Sequence, residues 1–211
     1  MINHLKKTIE SKLVVKHQDN KVEFYESEED ALLKKVVFSV SNFLREGGGL
    51  LKNAVIIEGD SSIEDCLRRF TFYLNDTCPD ITRQCDYIVF HEAKDSLRIM
   101  LIEMKSSDTS VDLEARIHKQ FQFSKIFAKY LIDVTAAYVE IADGVLAKPI
   151  TYHKIALVKA DNVAMSLPLG KPPQKVAQLP SSESNGIKSL FLNTDRHGVA
   201  KLDWRYFMEN I

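Results

Sequence analysis

CDYIVFHEAKDSLRIMLIEMK, residues 85–105, reads as two apolar runs joined by a short polar turn. Asp86 opens the first run; Glu103 and Lys105 close the second. Side chains two apart on a strand share a face, so Glu103 and Lys105 point one way and Met104 the other. With Lys94 and Asp95 as a two-residue turn, the register sets Asp86 across from Glu103, with Lys105 beside them. A slip of one residue would send Asp86 to the opposite face.

The rest of the stretch makes that trio conspicuous. Ile88, Val89, Phe90, Ile99, Leu101 and Ile102 are apolar on both faces, as in central strands covered on both sides. Two carboxylates and an ammonium at the end of such strands would cost several kcal/mol if buried without partners. Their presence marks a candidate site.

The helix expected downstream adds a fourth residue. Over Asp112–Leu131, the positions Leu113, Ile117, Phe121, Ser124, Ala128 and Leu131 recur at steps of three and four and define one buried stripe. At about 100° per residue, Gln120 lies roughly 70° from the centre of the stripe and Gln122 roughly 130°. Gln120 is therefore expected at the core border and Gln122 in solvent.

An aspartate and an ExK tripeptide at neighbouring strand ends, followed by a helix carrying glutamine, resembles the PD-(D/E)xK nuclease superfamily. The resemblance covers residues 84–131 and rests on Asp86, Glu103, Lys105 and Gln120, the last fifteen positions after the lysine. It implies an α/β (α+β) restriction-endonuclease-like core, a central mixed sheet flanked by helices. It also implies Mg²⁺ or Mn²⁺ held by Asp86, Glu103 and the Met104 carbonyl, and Lys105 and Gln120 orienting water and stabilising charge. The implied activity is metal-dependent hydrolysis of phosphodiester bonds, in DNA first of all, with a role in host defence or restriction. A protein partner or a homodimer would then supply sequence selection. The other reading is a nuclease-fold subunit without activity, in which the trio is an ion pair and the surface contacts nucleic acid or protein.

Outward from this centre the pattern is less regular. Lys12–Lys16 and Lys21–Tyr25 read as the two arms of a hairpin, with a DNA-contacting arm as the alternative. Glu29–Glu46 has apolar residues at helical spacing and a stop at Gly47–Gly49, although Val36–Val40 is also strand-like. Members of the superfamily often place a metal-assisting glutamate on the first core helix, which makes Glu28, Glu29 and Glu46 candidates. The triple glycine has no GK[ST] after it and reads as a turn. Asn53–Glu58 reads as a strand. Pro79-Asp80 is a literal PD, but Asp86 has the better position directly before an apolar strand, so Asp80 is expected to cap a turn. Arg68, Arg69 and Arg83 could face phosphates or simply solvent.

Further strands are expected at Thr135–Ile141, parallel to the ExK strand after a helical crossover, and at Ile155–Lys159. Residues 166–187 hold four of the six prolines and read as a loop or linker. The domain reading is thus 1–165 as the nuclease-like unit, then the linker, then 188–211 as a segment tied to the core by Trp204, Tyr206 and Phe207.

Composition sets wide bounds. The 211 residues are 45% hydrophobic and 27% charged, with a formal net charge of −1, so no basic excess announces a nucleic-acid binder. Cys66, Cys78 and Cys85 are odd in number and lack CxxC spacing, which argues against a disulfide framework or zinc site. The first residues contain no signal-like apolar core, and no run approaches a membrane span, so a cytoplasmic protein is expected.

Overall fold

The computed structural model describes residues 1–26, 31–59, 84–105, 111–139, 148–160 and 181–211, with side chains omitted at 111–116. Among these the chain is α+β, with two mixed sheets and few helices. Six strands build the large sheet: β3 (Ala54–Glu58), β4 (Tyr87–Glu92), β5 (Leu97–Lys105), β6 (Ile150–Lys159), β7 (Ser181–Ser184) and β8 (Ile187–Leu192). Their spatial order is β3-β4-β5-β6-β8-β7. The hairpin β4–β5 is antiparallel, whereas β5, β6 and β8 run parallel. A second sheet of three strands, β1 (Lys21–Tyr25), β2 (Lys35–Ser39) and β9 (Val199–Asp203), is ordered β1-β2-β9.

The large sheet is covered on both faces, which explains why its central strands carry almost no alternation. Tyr87, Val89, Met100, Ile102 and Met104 pack toward the small sheet and the C-terminal helix α3 (Trp204–Glu209). Ile88, Phe90, Ile99 and Leu101 pack the opposite way, against α1 (Ile2–Thr8) and the long helix α2 (Val111–Tyr138). Tyr87 fastens the two sheets: its ring stacks on Phe24 at 4.0 Å between centroids. Its hydroxyl accepts from the Tyr25 N–H at 2.6 Å.

Several expectations need correction. From residue 31 on, where the structure describes it, Glu29–Glu46 is not the expected helix; Lys35–Ser39 is a strand, paired antiparallel to β1 and parallel to β9. Leu33, Val36, Phe38 and Val40 are buried, and from Val36 onward the period is two. Val36, Val40 and Leu44 satisfy both periods, and the β-branched residues tipped the balance once a partner strand was available. Lys12–Lys16 does not pair with β1 either. Instead Val14 bridges Ile57, so this segment borders β3.

Of the strand expected at Thr135–Ile141, residues 135–138 are instead the last turn of α2, Val139 N–H still donates to the Thr135 carbonyl at 3.1 Å, and 140–141 lie outside the described residues. The buried face simply continues through Ile132 and Thr135, whose hydroxyl meets that of Thr8 at 2.8 Å. The crossover strand parallel to β5 is therefore β6, which begins at Ile150 rather than Ile155. In the stretch expected as a linker, Ser181–Ser184 forms the edge strand β7 and Asn185-Gly186 turns it into β8. The C-terminal aromatics do tie the end to the core, with Trp204 and Phe207 fully buried.

Candidate active site

The β4–β5 register is the one read from the sequence. Tyr87 pairs with Ile102, and the ladder runs to Glu92 opposite Leu97. Ala93 N–H donates to the Ser96 carbonyl at 2.9 Å, leaving Lys94 and Asp95 at the tip. At the other end the next positions are Asp86 and Glu103.

There the ladder gives way to side chains. Along β4 the even residues turn their backbone groups toward β3: Glu92 N–H donates to Asn53, and the Asp86 carbonyl accepts from Gly59 at 2.8 Å. The odd residues face β5, so regular pairing would join Cys85 to Met104. Instead the Cys85 N–H donates to Ser124 Oγ at 2.8 Å, and the Met104 N–H donates to Asp86 Oδ2 at 2.5 Å. The Met104 carbonyl points to the same side as its N–H and so has lost its ladder donor. Gly59 permits this packing, because a Cβ there would sit 2.1 Å from the Cys85 carbonyl oxygen.

Glu103 is the buried member, with a side chain 1% exposed. Its Oε1 lies 2.8 Å from Lys105 Nζ, and its Oε2 accepts from the Asp86 N–H at 3.3 Å. Asp86, Glu103 and Lys105 thus share one strand end, with Glu103 paired to Lys105 and linked to Asp86 through the Asp86 N–H. Burial first, and then the Glu103 charge, hold the Asp86 carboxyl well above the usual carboxylate range. Burial likewise raises Glu103, against the opposing pull of Lys105. Burial would lower Lys105, but the charge and hydrogen bond of Glu103 outweigh it, so the ammonium is retained.

Gln120 sits where the helix geometry put it, half-buried, with Gln122 exposed. Its amide Nε2 lies 3.4 Å from the Gln84 carbonyl, two residues before Asp86. Gln120 and Ser124, one helical turn apart, thus hold the segment that enters β4. Among the described residues Gln120 makes no bond to Lys105, so its observed contact is to the backbone that carries Asp86. Of the buried stripe, Ile117, Phe121, Ser124 and Ala128 are as expected, Leu131 is half-buried and Ile132 takes its place.

Glu46 is not near the trio; it pairs with Lys6 at the other end of the fold's N-terminal contacts. Glu28, Glu29, Arg68, Arg69, Asp80, Arg83, Cys66 and Cys78 lie outside the described residues. Glu26 was missed: it is the acidic residue whose charge bears on Asp86, Glu103 and Lys105 alike. Its backbone N–H donates to the Lys34 carbonyl at 3.0 Å, a contact that exists only because β1 and β2 form a hairpin. No signal in the sequence linked it to residues sixty positions away. Ser124 was counted as a stripe residue, and only the structure shows it docking Cys85.

No family model, no curated protein and no solved structure matches the chain. The functional reading therefore rests on the site itself. Among the described residues no group of three or more His, Cys, Asp or Glu is arranged around a metal position. The donors on offer are two carboxylates and the Met104 carbonyl, all oxygen, which suits a hard cation such as Mg²⁺ that keeps several waters. The elevated carboxyls are the second sign of fit, since a cation would offset both the burial and the Glu103 charge that raise Asp86.

Proposed function

We infer that the chain is a metal-dependent nuclease of the PD-(D/E)xK kind, hydrolysing phosphodiester bonds, with DNA as the first substrate to test. The observation that supports it most is the broken ladder at Asp86–Glu103. Two carboxylates crowd the end of a buried hairpin, one of them paired to a lysine, where an apolar pair would pack better. A bound Mg²⁺ or Mn²⁺ would supply Lewis acidity and orient the attacking water. Asp86 and Glu103, with the Met104 carbonyl, would hold the cation. Lys105 keeps its proton beside Glu103 and so acts as a fixed positive charge, placed to stabilise charge building on phosphorus rather than to take a proton. Gln120 acts one step back, by fixing the backbone that presents Asp86.

No helix of the described residues is long and apolar enough to cross a membrane. A role in host defence, and a partner or second subunit that selects sequence, fit the same reading. The decisive assay is nicking of supercoiled plasmid by the purified protein with Mg²⁺ or Mn²⁺, against EDTA and against Asp86→Ala. Cleavage that needs the metal and Asp86 supports the reading. Cleavage that survives EDTA or the substitution refutes it.

A further inference from the structure

β5, β6 and β8 run parallel, so their C-terminal ends share one edge of the large sheet. Lys105 ends β5 beside Val158, Lys159 ends β6 beside Leu192, and β8 leads from there into the turn 194–198. At that edge a cavity of about 520 Å³ is lined by Lys34, Lys159, Arg196, His197, Asp195 and Gly198, among others. Among the described residues none of Lys34, Lys159 and Arg196 forms an ion pair with a carboxylate. The one acid in the lining, Asp195, already accepts from the backbone N–H groups of His197 at 2.8 Å and Val199 at 3.1 Å. Those bonds hold its carboxyl below the usual range.

The cavity is built rather than incidental. Asp195 closes the turn, and Gly198 adopts φ +75°, where any Cβ would come within 2.7 Å of the Leu32 carbonyl oxygen. That close approach lets the Gly198 carbonyl accept from Lys34 N–H at 2.9 Å and Lys35 N–H at 3.3 Å. The turn carrying Arg196 is thereby locked to the segment carrying Lys34. The same segment borders Glu26, whose charge bears on the trio, since the Lys34 carbonyl accepts from Glu26 N–H. Adjacent strands lie about 4.8 Å apart, so the end of β8 is two strand steps, roughly 10 Å, from Lys105. By strand alternation Lys105 faces the α2 side and Lys159 the small-sheet side, so a substrate strand joining the two would wrap around this sheet edge.

The geometry points to a phosphate subsite: Lys34, Lys159 and Arg196 grip the backbone of the substrate strand a few nucleotides from the bond held at Asp86 and Glu103. The assignment rests on the nuclease reading for its substrate. It explains how a chain of net charge −1 engages a polyanion, by clustering cations that pair with no carboxylate among the described residues at the edge that carries the site. Phosphate contacts of this kind carry affinity and register, and little sequence information.

The test is binding of a fluorescein-labelled duplex oligonucleotide in EDTA, by anisotropy, across a salt series. Wild type is compared with Lys34→Gln, Arg196→Gln, the double variant and Lys94→Gln. Lys94 is exposed at the hairpin tip, the far end of β5. The double variant should bind roughly 10-fold more weakly at low salt, and its log–log salt slope should fall by about two. Lys94→Gln should match wild type. Both cavity positions are exposed, so equal thermal midpoints check that the fold is intact. Unchanged affinity and slope in the double variant overturn the subsite, as does wild type that binds no oligonucleotide. Inorganic phosphate that displaces the duplex at matched ionic strength would show a free-phosphate pocket and would overturn it too. Wild type that binds through these residues but never cleaves plasmid with Mg²⁺ or Mn²⁺ leaves the subsite standing and removes the nuclease reading.

Discussion

The two ends of the β4–β5 hairpin are made of the same strands in the same register, yet they treat charge in opposite ways. At the turn end the Glu92 carboxylate meets Lys148 at 3.2 Å and the chain's N-terminal ammonium at 4.0 Å. Burial would raise that carboxyl, but those partners win and it sits below its ordinary value. At the other end burial wins, aided at Asp86 by the Glu103 charge, and Asp86 and Glu103 sit above theirs. Charge at the turn end therefore supports folding, whereas charge at the site end works against it. A fold keeps such a liability where the charges have something else to do.

The largest effect that could break this contrast is on chemistry. Glu103→Ala and Asp86→Ala should each reduce metal-dependent cleavage by at least about 100-fold, the scale seen when even outer partners of metal ligands are lost. Both should still fold. Wild-type turnover in either variant would make the site end merely structural.

Lys105 comes next. If it stabilises charge on phosphorus, Lys105→Ala should cut single-turnover cleavage while Mn²⁺ affinity holds or rises, since two carboxylates would lose their cationic neighbour. Lys105→Arg keeps the charge but swaps a compact ammonium for a planar fork, so it should rescue poorly. A structural counter-ion would behave otherwise: arginine would substitute well, and alanine would mainly lower the thermal midpoint.

His91 sharpens the comparison at the turn end. Burial, with Arg98 second, lowers it from its ordinary value to about 4. A depressed histidine binds its proton more tightly unfolded than folded, so stability is full above about pH 6.5 and is lost as pH falls toward 4. The loss should be on the order of 1 to 2 kcal/mol after solvent screening. His91→Gln should flatten the thermal midpoint over that window. An unchanged pH profile would show that His91 does not titrate as described.

The smallest effect returns to the site end. Because Asp86 is raised, its contribution favours folding below about pH 4 and is lost as pH rises through its folded value. At neutral pH the metal-free protein should then gain about 2–4 °C from Asp86→Asn, close to 1 kcal/mol for a chain this size. The gain should vanish at low pH. A lower midpoint at pH 7 would mean the Met104 bond outweighs the repulsion.

What the sequence revealed follows the same contrast. Residues 85–105 were legible because a two-residue turn fixes the register and doubly buried strands stand out as unbroken apolar runs. Gln120 was placed correctly because helical geometry depends only on local spacing. The segment around Val36 was misread because its apolar positions fit two periods, and the deciding partner, β9, lies some 160 residues away. Glu26 was invisible for a related reason: its charge reaches Asp86 only because the small sheet packs on the large one, where Tyr25 and Phe24 meet Tyr87. Local chemistry announces strands and turns, and the meeting of distant charges does not.

Calorimetric titration of Mn²⁺ into wild type and Asp86→Asn, without substrate, tests most directly whether the carboxylate pair is a cation site. The account predicts saturable binding by wild type near one equivalent and its loss in the variant. No binding by wild type, or equal binding by both proteins, would contradict it.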